Sequence, residues 1–228
     1  MGNQRKIMRI QLQTLLASVI LAASPALAQD EWPEKTPDGL ELQHGTDAQV
    51  VYWLPGATLE GFTKVYLVDA SVAFHRNWRD SVSNRSARGA SGRITSTDME
   101  NIKSTVATAF RDVFVDELVN KGGFELVDEV GEDVLVIRPA IVNLFITAPD
   151  IRNTQASGAV ISSAGEMTLY LEFLDGYTGQ LFGKVLDRQI DDKGDMMITA
   201  NRVTNQRDGE RMLRSWAVQL REHMTELH

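Results

Sequence analysis

The stretch from Ser163 to Asp191 constrains this chain most. It reads SAGEMTLYLEF, LDGYTGQ, LFGKVLDRQID: two alternating runs joined by a turn cluster. Met167, Leu169, Leu171 and Phe173 fall on one side of the first run, with Glu166, Thr168, Tyr170 and Glu172 on the other. Successive side chains of a strand point to opposite faces, so this is the signature of a half-buried antiparallel hairpin. The remainder of the chain has to supply apolar surface to cover the Met167–Phe173 side.

Two segments can do so. From Thr97 to Lys121, Met99, Ile102, Val106, Phe110, Val113, Phe114 and Leu118 recur at spacings of three and four, the stripe of an amphipathic helix. Thr97 and Glu100 fit a capping box at its start, and Gly122-Gly123 supplies the stop. Near the C-terminus Leu213, Trp216, Ala217, Leu220, Met224 and Leu227 form a second stripe, with Thr204 or Asn205 placed to cap it.

Strands are expected at Lys64–Phe74, Phe124–Val130 and Val134–Thr147. In the last, both alternating sets are largely apolar, as in a strand covered on both faces. Pro139 cannot donate to a ladder, so a bulge or break is expected at Arg138-Pro139. The order β-α-β-β-β-β-α predicts an α+β fold: a mixed four- to five-stranded sheet with two helices packed on one face. The first strand–helix–strand unit predicts parallel strands. The loops Thr147–Ser162 and Asp192–Val203 are expected at one end of the sheet, and a solvated loop over Arg79–Ser96 at the other.

Outside this domain, placed at residues 62–228, two segments read differently. Residues 1–28 have a basic start (Arg5, Lys6, Arg9), a short apolar core from Leu15 to Ala23, and Ala26-Leu27-Ala28 before Gln29. That is the pattern of a cleaved signal peptide, too short to span a bilayer, and it predicts export, in a bacterial setting to the periplasm. Residues 29–61, with Pro33, Pro37 and Pro55, read as an extended arm in which Val50–Trp53 forms a short strand at the domain's edge. The chain has no cysteine, so no disulfide supports the fold. It carries 23 basic and 31 acidic residues; without the three basic leader charges the balance is 20 against 31, or −11. Such a balance argues against nucleic-acid or anionic-membrane binding, which rely on Lys and Arg.

Several blocks occur together in order: PDGLE at Pro37–Glu41, PGATLEGF at Pro55–Phe62, VAFHRNW at Val72–Trp78, DVLVIRPAIVNL at Asp133–Leu144, APD at Ala148–Asp150, SAGEMTLYLEF at Ser163–Phe173 and TGQLFGKVLDR at Thr178–Arg188. This set resembles the bacterial domain-of-unknown-function family 3313, mostly lipoproteins of the cell envelope. The resemblance covers nearly the whole chain after residue 28. It implies an envelope address and no particular activity. Gln29 stands where a lipidated member would carry cysteine, which implies a soluble periplasmic form.

No catalytic, metal or cofactor motif stands out. There is no G-x-S-x-G elbow, no glycine-rich nucleotide loop, and the four histidines are scattered. The candidate interaction residues are Trp78, Arg85, Arg88, Arg93, Arg138 and Asp150. Arg85, Arg88 and Arg93 suit an anionic partner, although arginines also simply solvate a loop. Among the aromatics Trp53, Trp78 and Trp216, the last lies in the helix stripe, and Trp78 is either a core cap or a contact patch. Arg138 and Asp150, like Asp187 and Arg188, suit ion pairs that fix strand and loop ends. The expected function is a non-enzymatic envelope module that binds an unknown envelope protein or polymer through loops or a sheet edge, an edge that would also allow homo-oligomers. An auxiliary ligand or lipid carrier is the alternative, and it requires an apolar cavity between sheet and helices. A hydrolase would require a nucleophile–base pair in a cleft.

Overall fold

The structure, a computed structural model, describes residues 32–86, 94–146, 164–190 and 202–226. The compact unit Trp32–His228 is an α+β domain. Its strands are β1 (Glu41–Gln43), β2 (Val50–Trp53), β3 (Lys64–Leu67), β4 (Ser71–Phe74), β5 (Glu125–Leu126), β6 (Val134–Ile146), β7 (Ala164–Asp175) and β8 (Leu181–Ile190). Helices α1 (Trp78–Ser86), α2 (Ser96–Val115) and α3 (Arg202–Glu226) complete it, with α2 running on into a π turn, Asp116–Lys121. One mixed sheet has the order β1-β2-β8-β7-β6-β3-β5, with β4 also on β6. Among the described residues no helix is long and apolar enough to cross a membrane.

The sheet is thus wider than four or five strands. The segment read as an arm contributes two strands: β2, the short edge strand expected at Val50–Trp53, pairs antiparallel with β8, Val50 opposite Leu186 and Trp53 opposite Gly183, and β1 adds beyond it. The run Lys64–Phe74 contributes another by dividing into β3 and β4, both parallel to β6.

That division answers the question posed by Pro139. Strand β6 runs unbroken through it, with Pro139 opposite Leu171 of β7. The parallel neighbour breaks instead: β3 pairs as far as Ile137, and β4 begins opposite Ala140. The position without an N–H therefore lies beside the gap where its partner strand leaves the ladder. The irregularity of β6 itself comes later, at Asn143, whose φ of 54° lies in the left-handed region that asparagine tolerates better than most residues. One extra residue reverses which alternate positions face the core. Before it Leu135, Ile137 and Ile141 are buried there, and after it Leu144 and Ile146. The two apolar sets read in the sequence are largely a single face with a change of phase.

Helix α2 starts two residues before the expected cap. Thr95 Oγ1 accepts from the Asp98 amide at 3.1 Å, and Asp98 Oδ2 accepts from the Thr95 amide at 2.8 Å. The buried Ile94 and Met99, which packs against the same core, occupy the two positions of a hydrophobic staple. Thr97 and Glu100, with no comparable residue before them, lose to this earlier register. The far end stops at Gly123, which has a φ of 79°.

Residues 78–86 are helical where a loop was expected. They also lie at the other end from the one predicted. Because β4 runs parallel to β6, Phe74 pairs with Leu144 and the His75 amide donates to the Leu144 carbonyl. Helix α1 therefore begins where β6 ends, at the end of the sheet where β7 starts and β8 finishes.

Both long helices pack on one sheet face. Phe110, Phe114, Leu118, Leu213, Trp216 and Ala217 join Met167, Leu169, Leu171 and Phe173 in a single core. A smaller cluster of Leu40, Val50 and Tyr52 lies apart from it, and the Tyr52 hydroxyl donates to the Pro33 carbonyl at 2.7 Å.

Candidate functional site

Strands β1 and β2 widen the sheet past β8 without bringing a helix to cover them. The result is a cavity of about 350 Å³ between α3 and this outer region of the sheet. Its floor is Leu169 and Leu171 of β7, Val185 of β8, and Val51 and Trp53 of β2. Trp216, Leu220 and Met224 of α3 form the roof. The rim is polar: Gln43 at the end of β1, His44, Thr46 and Asp47 from the β1–β2 connection, Gln219 and His223 from α3.

Two local devices keep the space open. At Gly183 a side chain is excluded, since a Cβ there would stand 2.1 Å from Trp53 Cε3. The indole lies flat against bare backbone, beside Phe173 at a ring-centroid separation of 5.8 Å, and its N–H donates to the Ala57 carbonyl at 3.0 Å. The second device is Asp187. One carboxylate oxygen accepts from the Trp216 indole N–H at 2.6 Å and the other from the Gln49 amide at 3.0 Å. The carboxylate thus pins α3 and the β1–β2 connection to the same point of β8. With a donor on each oxygen it acts as a staple between the two elements.

On the rim, His223 Nδ1 lies 3.0 Å from the Gln219 carbonyl, an acceptor only, so Nδ1–H donates there and fixes the orientation of the ring. His44 Nε2 lies 3.4 Å from Glu34 Oε2.

The candidates named from the sequence are scattered relative to this cavity. Trp78 is wholly buried, stacked on Phe74 at 4.1 Å, with its indole N–H donating to the Ile146 carbonyl at 2.8 Å. It caps the core and presents no contact patch; what recommended it in the sequence, a tryptophan next to arginines, is here a core residue at a helix start. Arg138 lies on the opposite sheet face and pairs with Glu172 at 2.8 Å, and Glu172 also accepts from the Tyr170 hydroxyl at 2.7 Å. Burial, then the neighbouring Glu172, raises the Tyr170 phenol well above its ordinary value. Lys184, next in this cross-strand row, pairs with Asp38 of the N-terminal segment. Arg188 pairs with Glu166 at 2.8 Å. Arg85 belongs to α1, while Arg88, Arg93 and Asp150 lie outside the described residues. Among the sequence's aromatics, Trp53 and Trp216 are brought together at the cavity.

Sequence reading missed two positions. Gly183 carried a signal, an isolated glycine inside a strand, which often marks a close approach of another group. Glu117, in the π turn, carried little. It is 1% exposed and bonded by Lys121 Nζ (2.7 Å), Arg214 Nη1 (3.0 Å) and Arg221 Nη1 (2.7 Å). Lys121 follows at i+4, but the arginines come from α3, 97 and 104 residues away.

Compared with known proteins, residues 36–220 match the family described as "Protein of unknown function (DUF3313)". Among curated proteins no relative matches. Among solved structures, a dodecamer of a PelC point variant from Paraburkholderia phytofirmans is 9% identical, with a TM-score of 0.35 over 75% of this chain and 95% of that one.

Proposed function

The chain belongs to the DUF3313 family, whose description names no activity, and we propose from its own geometry that it is an exported, non-enzymatic binding module of the cell envelope that holds an apolar group in the cavity beneath α3. The observation that carries this reading is the cavity: an apolar floor and roof, a polar rim, and a volume of about 350 Å³. That volume lies in the lower part of the roughly 300–1,000 Å³ typical of small-molecule sites, and the mix of lining groups is typical of them too. Export rests on the basic, apolar, small-residue order of residues 1–28. Association through a sheet edge has less behind it. Strands β1 and β5 have three and two residues, and such short edges are poor templates for a partner strand.

The test is titration of the mature protein with an environment-sensitive apolar dye. Saturable binding is expected, lost in Leu220→Trp, which fills the cavity from its roof, while far-UV circular dichroism stays unchanged. Failure to saturate, or equal affinity in the folded Leu220→Trp variant, overturns the reading.

A further inference from the structure

We infer that the cavity takes the single alkyl chain of an amphiphile whose head is uncharged or cationic, and that it discriminates against anionic heads. The inference rests on the binding role proposed above and adds the ligand's chemistry. Its basis is the charge of the lining. Among the described residues lining the cavity there are two aspartates, Asp47 and Asp187, and neither lysine nor arginine. The arginines nearest to those lining residues in sequence are engaged elsewhere: Arg188 with Glu166, and Arg221 with the buried Glu117.

A chain drawn between Leu171 and Leu220 leaves its head at the rim. A carboxylate or phosphate there meets Asp47 with no lysine or arginine among the described lining residues to offset it, and like charges held close are a common means of rejecting a wrong ligand. A hydroxylated or ammonium head meets a different surface. Asp47 accepts hydrogen bonds, the His223 imidazole, Gln43 and Gln219 offer polar partners at the rim, and Thr46, whose hydroxyl donates to the Ala48 carbonyl, offers an acceptor. Asp187, held by the Trp216 indole and the Gln49 amide, adds to the negative field of the lining. The narrow volume admits one chain more readily than two.

Four dodecyl amphiphiles separate the possibilities by displacement of the apolar dye from the mature protein. They are the maltoside, the trimethylammonium, the carboxylate and the phosphate, each below its micelle concentration, at low salt and pH 7.5. The first two are expected to bind at least about tenfold more tightly than the last two, the gap shrinking as salt is raised. Asp47→Lys, at an exposed position in the β1–β2 connection, is expected to close or invert that gap. Equal affinity for all four heads, or an anionic preference in the unaltered protein, overturns the head-group inference and leaves the cavity reading intact. Displacement by none of the four overturns the amphiphile inference, while the dye titration decides the cavity reading. Displacement that persists in Leu220→Trp marks adsorption elsewhere and counts against both as well.

Discussion

The sheet face under α2 and the sheet face under the outer edge of α3 are built from the same kinds of residue and end in opposite states. Beneath α2, Phe110 and Phe114 stack at 3.9 Å, Trp78 seals the end of β6, and Ile102, Leu135, Ile137 and Ile141 are fully buried. Beneath the far edge of α3, Leu169, Leu171 and Val185 line a cavity. The difference lies in coverage, not in composition. Two helices cover the strands around β6, and the two strands contributed by the N-terminal segment extend the sheet beyond them. A close-packed interior leaves few voids larger than a water molecule, so among the described residues an open volume of this size reflects missing coverage and not loose packing of the elements present.

The largest effect should come from truncating the sealed side. Phe110→Ala is expected to cost about 4 kcal/mol in urea or thermal unfolding, because a fully buried aromatic leaves a hole that rigid neighbours cannot fill. Leu220→Ala, half-buried at the cavity roof, should cost only about 1 kcal/mol, since its removal widens an opening that already exists. Similar costs at the two positions would mean that the cavity is filled in solution, and the contrast between the two sides would fail.

Glu117→Gln comes next. The carboxylate is almost wholly buried, whereas its cations are more exposed, from 23% at Arg221 to 48% at Arg214. Those cations can recover water when the charge is removed, so the loss should fall at the low end for a broken buried ion pair, about 3 kcal/mol. The residue joins the end of α2 to α3. Dye affinity measured well below the melting temperature should therefore fall if that joint also sets the height of the cavity roof, and stay constant if the two sides are independent.

How much of this was legible in the sequence follows from the range of the interactions. The hairpin of β7 and β8 and the stripe of α2 are local periodicities, and they stand where the alternation and the three–four spacing put them. The Asn143 bulge was readable only as two apolar sets, because a single shift of phase looks like a strand buried on both faces. Strand β1, three residues without alternation, gave no signal. The cavity was not legible at all. It depends on counting strands against helices, and the count changed once the proline-bearing segment before Gly61 proved to pair with β8. Trp53 and Trp216 were visible as aromatics; their placement around one cavity needed the register of Trp53 on Gly183 and the bond from Trp216 to Asp187.

Gly183→Ala tests that register directly. The new methyl would overlap the Trp53 ring, so the indole must shift or β2 must move away from β8. The expected cost is about 2 kcal/mol, in the ordinary range for overpacking. Dye affinity is expected to drop several-fold, because Trp53 belongs to the floor. A variant with native stability and native affinity would show that the indole has room to yield, and the glycine would lose its place in the account of how the cavity is kept open.

The smallest effect belongs to the cap that starts α2 on the sealed side. Thr95→Ala removes the acceptor for the Asp98 amide and should cost about 1 kcal/mol at neutral pH. The loss should depend on pH in a defined direction. The Thr95 hydroxyl, then the Thr95 amide, hold the Asp98 carboxyl below its ordinary value of 3.8. A carboxylate depressed in the folded state contributes stability that is complete above its unfolded pKa and disappears as pH falls through the lower folded value. Removing the hydroxyl removes the largest share of that depression. The gap between Thr95→Ala and the unaltered protein should therefore be widest above about pH 4 and narrow below it, towards the share that the amide cap alone contributes. Urea unfolding of both proteins from pH 7 down to pH 3 measures it. A gap that stays constant with pH would assign the whole effect to the amide cap and none to the carboxylate. Because the cavity lies under α3, dye affinity should be untouched throughout; a change in it would mean that the sealed side and the open side are coupled through α2.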